Sequence, residues 1–215
     1  RGGAGPGGRA GNAVVLNAQL QYRRNLSDIV NVFPTLGGFN NGSTWSVPVS
    51  LNILRGRWIH NIQVTATRSS TEVRNLFADS IDIAGIAGIN GVATEPSQWG
   101  VPNLSFSSVT SLRDVAPDDR SDRRIQVGYT LTHPLRAHTF RLGGDARVDR
   151  SGGITTGDAR GAYVFTGLYS AGSSVVRSSG LDFADFLLGL PQQASVQFAQ
   201  DVALSGRAFS LFVQD

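Results

Sequence analysis

The sequence predicts an all-β fold, an antiparallel β-barrel section with tight turns at one end and long loops at the other. Three observations carry this reading. Apolar and polar residues alternate with a period of two over runs of about ten residues, which makes extended strands with one greasy and one polar face. The runs come in pairs joined by tight turns, as antiparallel hairpins do. Tight and long connections then take turns along the chain, which collects the long ones at one end of the strands.

The clearest hairpin covers 44–70 and turns at Arg55-Gly56-Arg57. On its first arm Trp45, Val47, Val49, Leu51 and Ile53 share one parity, and Ser46, Pro48, Ser50 and Asn52 share the other. On the return arm Trp58, Ile62, Val64 and Ala66 alternate with Asn61, Gln63, Thr65 and Thr67. Soluble strands usually run about five or six residues, whereas a tilted membrane-spanning strand needs roughly nine to eleven. These arms reach the longer class. Trp45 and Trp58 stand near opposite ends of the apolar stripe, where an aromatic girdle would lie; Tyr22 and Tyr129 join it from neighbouring strands. Pro48 removes a ladder donor, so a bulge or local irregularity is expected there. A long hairpin of a secreted, soluble β-sandwich is the competing explanation.

The remaining elements follow in order. Residues 1–11 are a Gly-rich turn or linker, and 12–215 read as a partial barrel. The run 12–24 alternates cleanly, with Val14, Leu16, Ala18, Leu20 and Tyr22 on one side and Val15, Asn17, Gln19, Gln21 and Arg23, mostly polar, on the other. Periodicity is lost over 25–43, a loop, and again over 72–122. A second hairpin then places Ile125, Val127, Tyr129 and Leu131 outward, turns at 134–137, and returns with Phe140, Leu142, Ala146 and Val148 outward. Its other face carries Arg141, Asp145 and Arg147, which a sandwich core would not accept. Beyond a polar loop, 151–160, a short strand is expected over 162–168 and a further loop over 170–180. The run LDFADFLLG at 181–189 carries Phe183, Phe186 and Leu187 at helical spacing, stopped by Gly189 and Pro191. Two more strands are expected over 194–204 and 207–215. The tight turns near 55–57 and 134–137 alternate with long connections at 25–43, 72–122 and 151–205. Short periplasmic turns and long extracellular loops are the asymmetry of a transmembrane β-barrel in a bacterial outer membrane.

Composition narrows the function. All 19 basic residues of the 215 are arginine, set against 16 acidic ones, and no dense basic stripe suggests nucleic acid as a partner. With no cysteine, disulfides, thiol catalysis and thiolate metal sites are excluded together. The absence of Met and the start at Arg1 lead us to expect a piece of a longer reading frame. Asp118, Asp119 and Asp122 lack the spacing, glycine and glutamate of a calcium loop and read as a solvated loop. His60, His133 and His138 lack metal-ligand spacing, and no nucleophile elbow, phosphate loop or dinucleotide fingerprint occurs. No cofactor, metal or catalytic residue is therefore expected, and no enzyme.

At several stretches the chain resembles a known family. Asp182-Phe183-Ala184-Asp185-Phe186-Leu187-Leu188-Gly189-Leu190-Pro191, preceded by Tyr163-Val164-Phe165-Thr166-Gly167 and followed by Phe212-Val213-Gln214-Asp215, resembles the barrel of TonB-dependent receptors of the Oar-like type. Trp99-Gly100-Val101-Pro102-Asn103-Leu104-Ser105-Phe106 and His138-Thr139-Phe140-Arg141-Leu142-Gly143-Gly144-Asp145 are similar to further segments of that group, in the same order from about residue 95 onward. The resemblance implies a Gram-negative outer-membrane barrel of about 22 strands. In such receptors a plug fills the lumen, and a short segment contacts the TonB complex to draw on the inner-membrane proton gradient. Neither segment is found in 1–215, so this chain would be a mid-barrel section of about six strands. Its implied partners are outer-membrane lipid, the rest of its own barrel and plug, the TonB complex through the missing N-terminal part, and a bulky solute of unknown identity. Asn17, Gln19, Gln21, Asn61, Gln63, Arg141, Asp145 and Arg147 are the lumen-facing candidates for contact with plug or solute, or simply hydrate the wall. The alternative function is an adhesion or structural barrel that binds a partner through its extracellular loops. The LDFADFLLG helix would serve such a partner or else pack its own loop.

Overall fold

The computed structural model describes residues 11–155, 157–171 and 181–215, so most of the Gly-rich segment 1–11 and of the loop read over 170–180 lie outside it. In chain order the elements are β1 (Ala13–Ala18), β2 (Gln21–Ile29), a 3₁₀ turn (Pro34–Leu36), β3 (Gly38–Arg55), β4 (Trp58–Asn75), α1 (Ile83–Ile86) and a second 3₁₀ turn (Pro96–Gln98). There follow β5 (Asn103–Phe106), β6 (Asp118–Leu135), β7 (His138–Thr155), β8 (Ala162–Phe165), α2 (Asp182–Leu187), β9 (Gln193–Ser195) and β10 (Gln200–Gln214).

The large sheet runs β1/β2, β3, β4, β6, β7, β10, antiparallel at every step. β1 and β2 lie end to end against β3, so the sheet has six lanes. Among the described residues its margins, β1/β2 and β10, stay unpaired and the sheet is not closed. Two-residue turns, Gly56-Arg57 and Arg136-Ala137, close the hairpins at one end. At the first, Gly56 takes φ of +61°, the value that a II′-type hairpin turn demands of its first central residue. At the opposite end stand the long connections 30–37, 76–117 and 156–199.

β3, β4, β6 and β7 have 18 residues each, about 60 Å when extended. They are longer than the alternation in the sequence suggested. Only the halves beside the tight turns carry one apolar face. The far halves are polar on both faces (GFNNGST in β3, DDRSDRR in β6), so the period-two contrast vanishes while the ladder continues. The loops expected at 25–43, 72–122 and 151–205 shrink accordingly. The expected pair of strands over 194–204 and 207–215 is also corrected. Ser205 and Gly206 do not turn, and β10 runs unbroken along β7 from Gln200 to Gln214.

Pro48 does perturb the sheet, although on its neighbour and without a bulge. The β1 and β2 ladders keep one register against β3, Ala18 opposite Val49 and Gln21 opposite Ser46, so no residue is inserted. Gln19 N donates to Pro48 O at 3.0 Å, but Pro48 has no N–H to return to Gln19. The missing bond separates β1 from β2.

Above the large sheet the loops build a small one, with β5 parallel to β8 and β9 antiparallel to β8.

Candidate functional site

Directly opposed residues on neighbouring antiparallel strands point to the same face, so the register sorts every side chain of the wall. One face is an apolar band. Val49, Val64, Val127, Ala146 and Phe209 form one row across the lanes, and Leu51, Ile62, Tyr129, Gly144 and Leu211 form the next. Many of these side chains are exposed, among them Val127, Phe209 and, at 90%, Leu211. An apolar surface of this extent needs an apolar environment.

Aromatic pairs bound the band. At its upper margin Tyr22 and Trp45 pack with ring centroids 4.3 Å apart. At its lower margin Trp58 stacks on His133 at 3.9 Å. About ten residue steps separate these rows along β3, roughly 33 Å of strand, or about 24 Å of height at a tilt near 45°. That matches the height of about 25 Å that a transmembrane barrel presents to lipid. The fourth girdle residue, Tyr129, sits two rows inside the lower margin, where its hydroxyl and His60 Nδ1 share a hydrogen bond at 2.9 Å. Its polar tip thus acquires a partner within the band.

The opposite face is polar from β1/β2 to β7, whereas on β10 Ser210 and Gln214 share it with Val202, Leu204, Ala208 and Phe212. Asn17, Gln19, Gln21, Asn61, Gln63, Arg141, Asp145 and Arg147 all fall on it. Asn61 Nδ2 donates to Asn52 Oδ1 at 2.5 Å, and Gln21 Nε2 to Gln19 Oε1 at 3.2 Å. Further up, the charges on this face neutralise one another. Arg120 Nε lies 2.9 Å from Asp122, Arg124 Nε 2.6 Å from Asp149, and Arg147 Nε 2.9 Å from the second Asp149 oxygen. The Ser151 and Ser210 hydroxyls donate to Asp122 and Asp145. On the outward parity, two rows above Arg68 and Arg123, Asp119 is bound by Arg74 at 2.7 Å. Asp119 and Asp122 are thus engaged by arginines, and among the described residues no group of three acidic or imidazole side chains could hold a metal ion.

The loop cluster is held by buried polar side chains that no local pattern announced. Asn75, 2% exposed at the end of β4, donates through Nδ2 to the carbonyls of Trp99 and Val115 and accepts through Oδ1 from the N–H groups of Phe77 and Ala78. Beside it Arg160 Nη1 reaches Asp114 Oδ2 at 3.1 Å and the Val115 carbonyl at 3.2 Å. Burial pushes the Asp114 carboxyl up and the Arg160 guanidinium down, each against the pull of its partner. Gly100 lies against this knot: a β-carbon there would come within 2.6 Å of both Asn75 Nδ2 and Asp114 Oδ2.

The LDFADFLLG segment forms α2 and works chiefly through its aspartates. Asp182 accepts from Ser108 N at 2.6 Å and from Ser108 Oγ at 2.6 Å. Asp185 accepts from the N–H groups of Tyr169 and Ser170 at 3.2 and 2.7 Å. Phe186 packs with Phe106 and Phe165 and serves the cluster's own interior, whereas Phe183, in ring contact with Phe106 and Phe186, stays half exposed. Leu187 instead points to solvent at 70% exposure. Both aspartates were visible in the sequence, but their partners from 107–108 and 169–170 carry no matching signal.

The model of a family described as outer membrane beta barrel domain matches residues 14–215, nearly the whole chain. No match was found among curated proteins or among solved structures.

Proposed function

Because the chain belongs to the outer membrane beta barrel domain family, we propose that it forms part of the barrel wall of a TonB-dependent receptor that takes up a bulky solute. The wall lies in the outer membrane, its apolar band against lipid, its two-residue turns in the periplasm and its loop cluster outside. One observation carries the uptake reading: the polar face stays rich in amides, hydroxyls and charges over the five lanes from β1/β2 to β7 and pairs Arg120, Arg124 and Arg147 with aspartates. Such a surface suits a wet lumen holding a hydrogen-bonding plug. The Oar-like segments at 99–106, 138–145 and 182–191 support the same assignment in chain order.

In this mechanism the work is gating and no bond is made or broken. The plug, tied to the TonB complex from the N-terminal part, would slide along Asn17, Gln19, Asn61, Gln63, Asp145 and Arg147 as solute passes. The test is accumulation of candidate solutes by cells carrying the intact reading frame, with and without a proton uncoupler. Uptake that stops on uncoupling supports the receptor reading. Surface binding that persists unchanged, with no accumulation, points to an adhesion barrel. The observation favouring that second reading is the loop cluster itself, which has its own sheet and exposes Ile86, Phe183, Leu187 and Leu188.

A further inference from the structure

At the top of its apolar band the outward face carries a row of arginines. Arg68 on β4 stands directly opposite Arg123 on β6, and Arg123 directly opposite Arg150 on β7. The row continues from Trp45, which opposes Arg68, so the three guanidinium groups share the register row of the Tyr22–Trp45 pair that ends the band at its upper margin. That margin is the outer-leaflet interface. All three arginines are exposed, and among the described residues none of them has an ion-pair or side-chain hydrogen-bond partner. Arg120, Arg124 and Arg147 on the inward face, by contrast, have Asp122 and Asp149 beside them.

Like charges directly opposed on neighbouring strands repel, and strands about 4.8 Å apart hold them close. Such a row is stable beside lipid when an anion is shared between its members. The next row up offers Ser70 and Ser121 opposite one another, small hydroxyls at headgroup height. Between Ser121, Arg123, Arg150, Ala203 and Ser205 the surface sinks into an open depression of about 390 Å³. The planar guanidinium fork matches phosphate oxygens two at a time, which a Lys ammonium does not.

We infer that Arg68, Arg123 and Arg150 form a binding site for the phosphorylated sugar headgroup of an outer-leaflet glycolipid, with Ser121 and Ser205 available to its hydroxyls. The lipid is favoured over a soluble anion by continuity. The arginines cap a row of Val47, Ala66, Ile125 and Val148 on the same face, which Arg207 ends on β10 with a fourth guanidinium, so acyl chains lying on the apolar lanes bring their headgroup phosphates to this row. The inference does not depend on what passes through the barrel.

The test uses the full-length protein, purified from outer membranes in detergent and transferred to phosphatidylcholine nanodiscs with and without lipid A, a phosphorylated glycolipid. Binding is followed by native mass spectrometry and by the temperature at which the unboiled electrophoretic band converts to the boiled form. Lipid A is expected to raise that temperature. The triple variant R68Q/R123Q/R150Q should bind at least about tenfold more weakly, since each interfacial arginine adds to the attraction. The inward variant R141Q should bind as the wild type does. If the triple variant fails to fold, the single variant R123Q, at the centre of the row, carries the comparison. Undiminished binding by the folded variants overturns the site. So does full displacement of lipid A by inorganic phosphate or an acidic peptide, which would assign the row to a soluble anion.

Discussion

Arg160 and Asp114 meet in the loop cluster with side chains only 6% and 0% exposed. Desolvating both charges costs about what their attraction returns, so the pair itself adds little stability. Breaking it is another matter. Arg160→Leu leaves Asp114 buried without its counter-charge and should destabilise the loop cluster by about 3–5 kcal/mol. The double change with Asp114→Leu should recover most of that loss. Hydrogen exchange over 99–115 reads the difference, while heat-modifiable migration reports that the wall is intact. Equal losses in the single and double variants would rule out this account. Asp182 gives a residue-scale pH response. The Ser108 hydroxyl and its N–H hold this carboxyl down to about 2, against an ordinary value near 4. A depressed carboxyl stabilises the fold at every pH above its unfolded value, and that stabilisation fades as pH falls through the folded one. The clasp between α2 and 107–108 should therefore loosen between about pH 4 and pH 2. Asp182→Asn should show the loosened exchange pattern already at neutral pH. Unchanged exchange over 105–110 across the acid range would count against the clasp.

Among the elements, β1 and β2 are one strand divided by a single absent donor. Pro48 accepts from Gln19 but cannot give a bond back. Pro48→Thr restores an N–H at a polar-face position whose neighbour is Thr65. Set against the backbone freedom that proline had removed from the unfolded chain, the new bond should leave the wall unchanged or up to about 1 kcal/mol more stable. Thermal conversion of the unboiled band measures this, and a clear fall in that temperature would refute the missing-donor explanation. The elements also show what the sequence could and could not reveal. The hairpins around 55–57 and 134–137 were legible because one face meets lipid, which forces alternation. The far halves of the same strands meet water on both faces, so Ser69, Ser121 and Ser151 fit either side and nothing betrayed the ladder. In the loop cluster the signal was missing for another reason. Ser108 and Asp182 lie 74 residues apart, and a bond between two common polar residues leaves no periodic trace. The outward arginine row was equally hidden, since it exists only once the register aligns three strands.

At the scale of the whole molecule, sidedness is the property on which location and function both rest. A sheet with one face in lipid and one in water should answer oppositely to the same charge on adjacent residues. Val64 is in the middle of the apolar band, between Val49 and Val127, two rows below the arginine row that Arg68 occupies. Gln63, next to it in sequence, is on the polar face between Ser50 and Gly128. Arginine at a lipid-facing position near the bilayer midplane costs about 2–4 kcal/mol. Val64→Arg in the intact protein should therefore lower both outer-membrane yield and the conversion temperature of the unboiled band. Gln63→Arg should leave both near wild type, because the new charge stays hydrated. A soluble two-sheet sandwich predicts a different pair of results: its core would reject Val64→Arg, but the protein would leave the cell envelope without detergent. If both variants insert equally well, the band is not lipid-facing, and the lumen assigned to the opposite face goes with it.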